Sequence, residues 1–181
     1  MAVTAVKKVF FIADTHFGHK EIINFENRPF KNTEEMNEIL IQNWNKTVSE
    51  KDEIFLLGDF AFGKKEEIQK YISALNGYKV LIMGNHDRIY PLSWWTGSGF
   101  HEVIQYPVIY KEWFMLSHEP LYINKNMPYA NIFGHVHGNP LYADVSRQSF
   151  CVSAERTGYI PLEFEEIAGK MQNAANLEVE K

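Results

Sequence analysis

The chain has 181 residues, 45% hydrophobic and 23% charged, which fits one domain with a well-buried core and excludes a disordered or low-complexity chain. Its 18 Lys and Arg against 23 Asp and Glu leave a net charge of −5, which argues against a protein gripping nucleic acid through a basic face. One cysteine, Cys151, excludes an internal disulfide and favours a cytoplasmic setting.

The first apolar run, Val9–Ala13, reads as a strand. It is too short for a signal-peptide core or a membrane span, and it runs straight into Asp14. Asn32 reads as the N-cap of a helix, with Glu35 as its capping-box partner and Met36, Ile39, Leu40, Trp44 and Val48 on one apolar face. Glu53–Leu57 is the next strand. A second helix runs from Lys65 to Asn76, burying Ile68, Tyr71, Ile72 and Leu75, and stops at Gly77. Lys79–Met83 is a third strand, and the aromatics after it, Tyr90 and Trp94-Trp95, read as core packing. Val103–Tyr110, Trp113–Leu116, Asn131–Phe133 and Phe150–Ser153 are further strand candidates, with Cys151 as a small buried hydrophobe in the last. A third helix starts around Leu162, and a short polar tail comes after Met171. The early strand–helix alternation predicts parallel pairing, and the crowded later strands leave little room for helices. A mixed α/β fold with two packed sheets therefore fits better than one doubly wound sheet.

The residues directly after each apolar run carry the chemistry. Asp14-Thr15-His16, Gly58-Asp59, Gly84-Asn85-His86-Asp87, Ser117-His118 and Gly134-His135-Val136-His137 each stand at the exit of a strand. Ligands in α/β folds collect at such loops, because the strands are rigid and the loop backbone is free to turn. Gly58, Gly84 and Gly134 precede ligand-type residues and allow a tight or positive-φ exit. Of seven histidines, five lie in these turns and a sixth, His19, just beyond the first. Imidazole with carboxylate suits borderline divalent ions, manganese first with iron, nickel or zinc as alternatives. The donors are more than one tetrahedral ion needs.

In this order the five elements resemble those of the calcineurin-like metallophosphoesterases: D-x-H, G-D, G-N-H-D/E, H and G-H-x-H, over about residues 9 to 153. The resemblance implies a two-sheet β sandwich flanked by helices, a four-layer fold forming one domain. It also implies two divalent ions, one held by Asp14, His16 and His137, the other by Asn85, His118 and His135, with Asp59 bridging. His86 would face the substrate phosphate. The activity implied is hydrolysis of phosphate esters by a metal-bridging hydroxide, with the ions roughly 3.5–4 Å apart.

Around that centre, Asp87 is expected to orient His86 by accepting its second N–H. Arg28 and Arg88 are candidates for binding a non-bridging phosphate oxygen, against surface roles. His19 could reach substrate or cap the helix after it, and His101 reads as structural. A small or nucleotide-like phosphodiester is favoured as substrate. A monoesterase, a nuclease and a non-catalytic protein-binding scaffold are the alternatives. A metallo-β-lactamase reading fails because Gly138-Asn139-Pro140 comes after His137 where that class needs D-H.

Overall fold

The computed structural model describes residues 7–124, 126–142 and 145–179. Two five-stranded sheets lie face to face. The first has the order β10 (Leu162–Glu163), β1 (Val9–Ile12), β2 (Glu53–Leu57), β3 (Tyr78–Ile82), β4 (Glu102–Ile104). Strands β1 to β4 are parallel, as the early alternation predicts, and β10 is an antiparallel edge. The second sheet has the order β5 (Val108–Tyr110), β6 (Phe114–Leu116), β7 (Ala130–Phe133), β9 (Ser149–Cys151), β8 (Val145–Ser146), with β6, β7 and β9 parallel between antiparallel edges.

Strand side chains alternate between faces, and here both faces of the first sheet are buried, so its strands are apolar runs. Phe10, Ile12, Ile54, Leu56 and Leu81 pack with Met36, Leu40 and Trp44 of α2 (Thr33–Thr47) and Ile68 and Ile72 of α3 (Lys65–Ala74). Phe11, Ala13, Phe55, Leu57, Val80 and Ile82 face the other way, onto Leu116, Ala130, Ile132 and Phe150 of the second sheet. Burying each such large side chain stabilises the fold by about 1.5–3 kcal/mol. α5 (Phe164–Val179) contacts β10 and β1 of one sheet and β8 and β9 of the other, and it adds Phe164, Ile167 and Met171 to the intersheet core. The expected two-sheet sandwich flanked by helices is what the chain forms.

The helices begin where their caps lie. The Asn32 side chain accepts from Glu35 N (2.8 Å), while the Glu35 carboxylate reaches back to Lys31 N. The second helix ends two residues before the predicted Asn76, and the Lys79 ammonium donates to the freed Leu75 carbonyl (2.7 Å). The segment after Met171 is no tail: α5 continues to Val179, because Asn-Ala-Ala-Asn-Leu-Glu contains good helix formers. Short helices α1 (Ile22–Phe25) and α4 (Leu92–Thr96) have too few residues to show a periodicity.

Val103–Tyr110 is not one strand but two. β4 closes the first sheet and β5 opens the second, and Gln105-Tyr106-Pro107 crosses between them. Pro107 has no N–H to donate to a ladder, so the pairing stops there. Trp95 is fully buried with its indole N–H on Asp87 O (2.7 Å), while Trp94 and Tyr90 are partly buried against the same core, so core packing holds fully for Trp95 and in part for the other two. His101 accepts from Lys79 N (3.0 Å) and stacks on Tyr78, away from the other histidines of the motifs.

At one end the sheets are stitched together. Ala13 N donates to Val152 O (2.9 Å) and Ala154 N to Ala13 O (3.0 Å), forming a parallel bridge between Ala13 and Ser153. The carboxyl ends of β1, β2 and β3 therefore meet those of β6, β7 and β9. Asn32→Ala should lower unfolding free energy by roughly 0.5–2 kcal/mol in urea titration, with metal uptake unchanged. An unchanged midpoint would remove the cap from the account.

Candidate metal centre

Five turns emerge at this stitched end, and the backbone of three of them is strained. Asp14, His16, Asp59, His135 and His137 all have φ between 47° and 68°, in the left-handed region. Side chains other than glycine occupy it at an expense of order 1–3 kcal/mol each. Backbone bonds hold them there: Asp14 N to Gly58 O (3.0 Å), His16 N to Asp59 O (3.1 Å) and His135 N to Asp14 Oδ2 (2.8 Å). Of the three glycines, Gly58 has the positive φ (83°). Gly84 and Gly134 serve close approach instead, since a Cβ would fall 2.7 Å from Asp59 N in one case and from Asp14 Oδ2 in the other.

The turns bring the seven motif residues to one place. Asp14, His16 and His137 form one group of donors, and Asp59, His118 and His135 a second; within each, the donor atoms lie within 4.8 Å of one another. Asn85 Oδ1 joins the second group, 3.0 Å from His118 Nε2. Asp59 Oδ2 lies between the groups, 3.7 Å from His16 Nε2 and 3.4 Å from His118 Nε2. Asp14 Oδ1 and His16 Nε2 are buried with no hydrogen-bond partner among the described residues. A buried polar atom left unpaired costs roughly 1–3 kcal/mol, and a cation between these atoms would satisfy both. The donor set therefore fits a divalent metal site.

Protonation is governed by the same crowding. Burial pushes Asp14 up to about 6, although His137 and His118 oppose it. Burial holds His16 well below its usual value. Burial also opposes charge on His118, but its hydrogen bond to Asp59 and the charge of Asp14 win and raise it to about 9. Asp59 is correspondingly held low by His118, against its burial.

The neighbouring candidates are placed less as expected. The Asp87 carboxylate is fully buried and accepts from Asp59 N (2.8 Å), Phe60 N (3.0 Å) and Gly84 N (2.8 Å), not from the His86 ring. A short 3₁₀ turn over Asp87–Ile89 points it inward, so it braces two ligand turns. His86 faces out, 46% exposed, with Nε2 3.9 Å from Asp59 Oδ2. Arg28 is no open phosphate site, since its side chain has no exposure. Its guanidinium donates to Asp14 O (2.7 Å), Thr15 O (2.9 Å) and Glu155 Oε1 (2.6 and 2.9 Å). Arg88 is 57% exposed, 3.6 Å from Glu119, on a cavity of about 280 Å³ that His118, Met83, Tyr106 and Pro107 also line. His19 does not cap α1; its Nδ1 lies 3.2 Å from His16 Nδ1 and its ring stacks on Phe62 at 3.9 Å.

Two participants escape the motif reading. Phe62 lies against the rings of His16, His19 and His86. Glu155 accepts from His137 Nδ1 (3.1 Å) and, with Glu26, forms a third group around that histidine. The rule that found the other turns would have found Glu155 as well, had it been applied after the Phe150–Ser153 strand.

The chain is similar to known proteins. The family model described as calcineurin-like phosphoesterase matches residues 7–173. An uncharacterised protein of Methanocaldococcus jannaschii is 39% identical over 165 residues, 87% of this chain and 88% of that one. The gene 66 protein of Mycobacterium phage L5 is 33% identical over 91 residues, 49% of this chain and 44% of that one. The crystal structure of a protein of unknown function from Aquifex aeolicus superposes with a TM-score of 0.68 at 27% identity, covering 91% of this chain and 99% of that one.

Because Asp59 lies between both groups, Asp59→Asn should weaken metal binding at both together, read by elemental analysis after dialysis; one full and one empty site would contradict this. Metals bind deprotonated imidazole. Uptake just below the His118 value of about 9 should therefore release a proton, and apparent affinity should fall as pH drops further. Uptake without proton release, tracked with an indicator dye, would contradict the state assigned to His118.

Proposed function

The chain belongs to the calcineurin-like phosphoesterase family, and from its metal centre we propose that it hydrolyses phosphodiesters using two divalent cations, manganese foremost. The observation that carries this is the position of Asp59 Oδ2 between His16 Nε2 and His118 Nε2, with His16 Nε2 and Asp14 Oδ1 buried and without a hydrogen-bond partner among the described residues. Asp14, His16 and His137 would hold one cation, Asn85, His118 and His135 the other, with Asp59 shared. When bound, such cations supply Lewis acidity, lowering the pKa of water and neutralising charge on phosphoryl oxygens.

The chain's own residues do the rest. His118 donates its Nδ1–H to Leu57 O (2.8 Å), so that on losing its second proton it presents Nε2 as the ligand atom. His86, exposed beside Asp59, is placed to stabilise phosphoryl charge or to hand a proton to the leaving oxygen. Phe62 fixes one wall of that space through its contact with the His86 ring.

The cavity next to His118 supports the diester reading. It gives a second substituent on phosphorus a place to lie, with Tyr106 and Pro107 as apolar surface and Arg88 at the rim. The net charge of −5 favours a small or nucleotide-like ester over long duplex DNA. The lone, buried and unpaired Cys151 fits a reducing cytoplasm. Among the described residues no helix is long and apolar enough to cross a membrane.

Thorough chelation should abolish turnover of bis(p-nitrophenyl) phosphate, and Mn²⁺ should restore it. His86→Ala should lower kcat by about 10²–10⁴-fold with both ions retained. Turnover that survives metal removal would end the metallohydrolase reading, and faster turnover of p-nitrophenyl phosphate would replace the diester by a monoester.

A further inference from the structure

Three of the histidines in the centre have an identifiable partner for the ring nitrogen turned away from it. His118 has the Leu57 carbonyl, His16 has His19 and His137 has Glu155. Of these three, His137 is the one whose outward nitrogen is hydrogen-bonded to a carboxylate among the described residues, and that carboxylate is itself held. Arg28, without exposure, sets Nε and Nη2 on Glu155 Oε1, the same oxygen that faces His137 Nδ1. Its remaining donors take the carbonyls of Asp14 and Thr15, the turn whose Asp14 sits at φ 57°.

We propose that Arg28 and Glu155 are positioning residues for the first of the two cation sites, fixing His137 and the Asp14 turn as one unit. The inference rests on the two-cation reading above and assigns roles that the motifs do not contain. A carboxylate on Nδ1 keeps the proton on that nitrogen, so the lone pair of Nε2 is left facing Asp14 Oδ1, 4.0 Å away. The planar guanidinium is suited to this because its fork serves a carboxylate and two carbonyls at once, which a lysine ammonium on a flexible stem does not. Residue 28 leaves the first sheet's side of the molecule and residue 155 comes after β9 of the second, so the pair also ties the two halves across 127 positions of sequence. The second cation site has no such link: Asn85, His118 and His135 make no hydrogen bond to Arg28 or Glu155 among the described residues.

The selectivity between the two sites makes this testable. In the unmutated protein, calorimetric titration with Zn²⁺ should give two ions. Glu155→Gln should weaken one of them about 10–100-fold and leave the other within the error of the unmutated value. Equal weakening of both, or of neither, would overturn the positioning role. Three ions in the unmutated protein would also overturn it, because Glu26, Glu155 and His137 would then hold a cation themselves. Failure of the unmutated protein to bind any ion would instead sink the metal centre as a whole. If Glu155→Gln does not fold, the Zn²⁺-loaded unmutated protein decides, through ¹⁵N NMR of its histidines. His137 should carry its proton on Nδ1; a proton on Nε2 would refute the proposal.

Discussion

Asp14 and Asp59 lie where two sheets close on each other, almost out of reach of water, and a carboxylate in that position needs positive charge or hydrogen bonds around it. Asp59 has both, through His118 and the backbone N–H of His86. Asp14 has a hydrogen bond on one oxygen, from His135 N, while its other oxygen has no hydrogen-bond partner among the described residues and only the rings of His118 and His137 nearby, at 3.9 and 4.0 Å. This uneven solvation is the constraint that shapes the rest of the centre. The hydrogen bond to Asp59 and the charge of Asp14 favour a proton on His118 despite its burial, and His118 in turn holds Asp59 low. A divalent cation would give Asp14 Oδ1 and His16 Nε2 the partner that they lack among the described residues.

Holding those groups close takes rigid support on every side. Left-handed backbone at five ligands is tolerable because other parts of the chain fix each turn. Asp87 spends its carboxylate on three amide N–H groups from two turns, and the bridge between Ala13 and Ser153 locks the first strand to the opposite sheet. The core beneath is correspondingly dense in aromatic and branched side chains on both faces of the first sheet. Local strain is thus balanced by global packing, a division often seen where a site must be preorganised.

Much of this could be read from the residues in order. Each ligand turn is local, a few residues after an apolar run, so periodicity and motif spacing place it without knowledge of the fold. The two principal helices are legible for the same reason, since Asn32 and Glu35 announce the start of one and a stripe from Met36 to Val48 its buried side. Whatever depends on distant partners stays hidden. Asp87 looks like a companion of its neighbour His86, but its carboxylate is taken up by amides 27 and 28 residues away. Arg28 looks like a surface arginine or a phosphate binder until Glu155, far along the chain, comes to meet it. Val103–Tyr110 looks continuous because its two halves are equally apolar, and only the sheets decide that they part. Positive φ at Asp and His leaves no mark in composition at all.

That parting of β4 from β5 bears on how such a protein can change. Three residues, Gln105 to Pro107, carry the chain from one layer to the next, and all three also form wall of the cavity next to His118. Neither strand's ladder extends into them, and no metal-binding turn is anchored there. Lengthening or reshaping this short passage would alter the depth and lining of the cavity while the strands on either side kept their registers. The cavity wall can therefore vary at one point of the chain without disturbing the strands that carry the ligand turns.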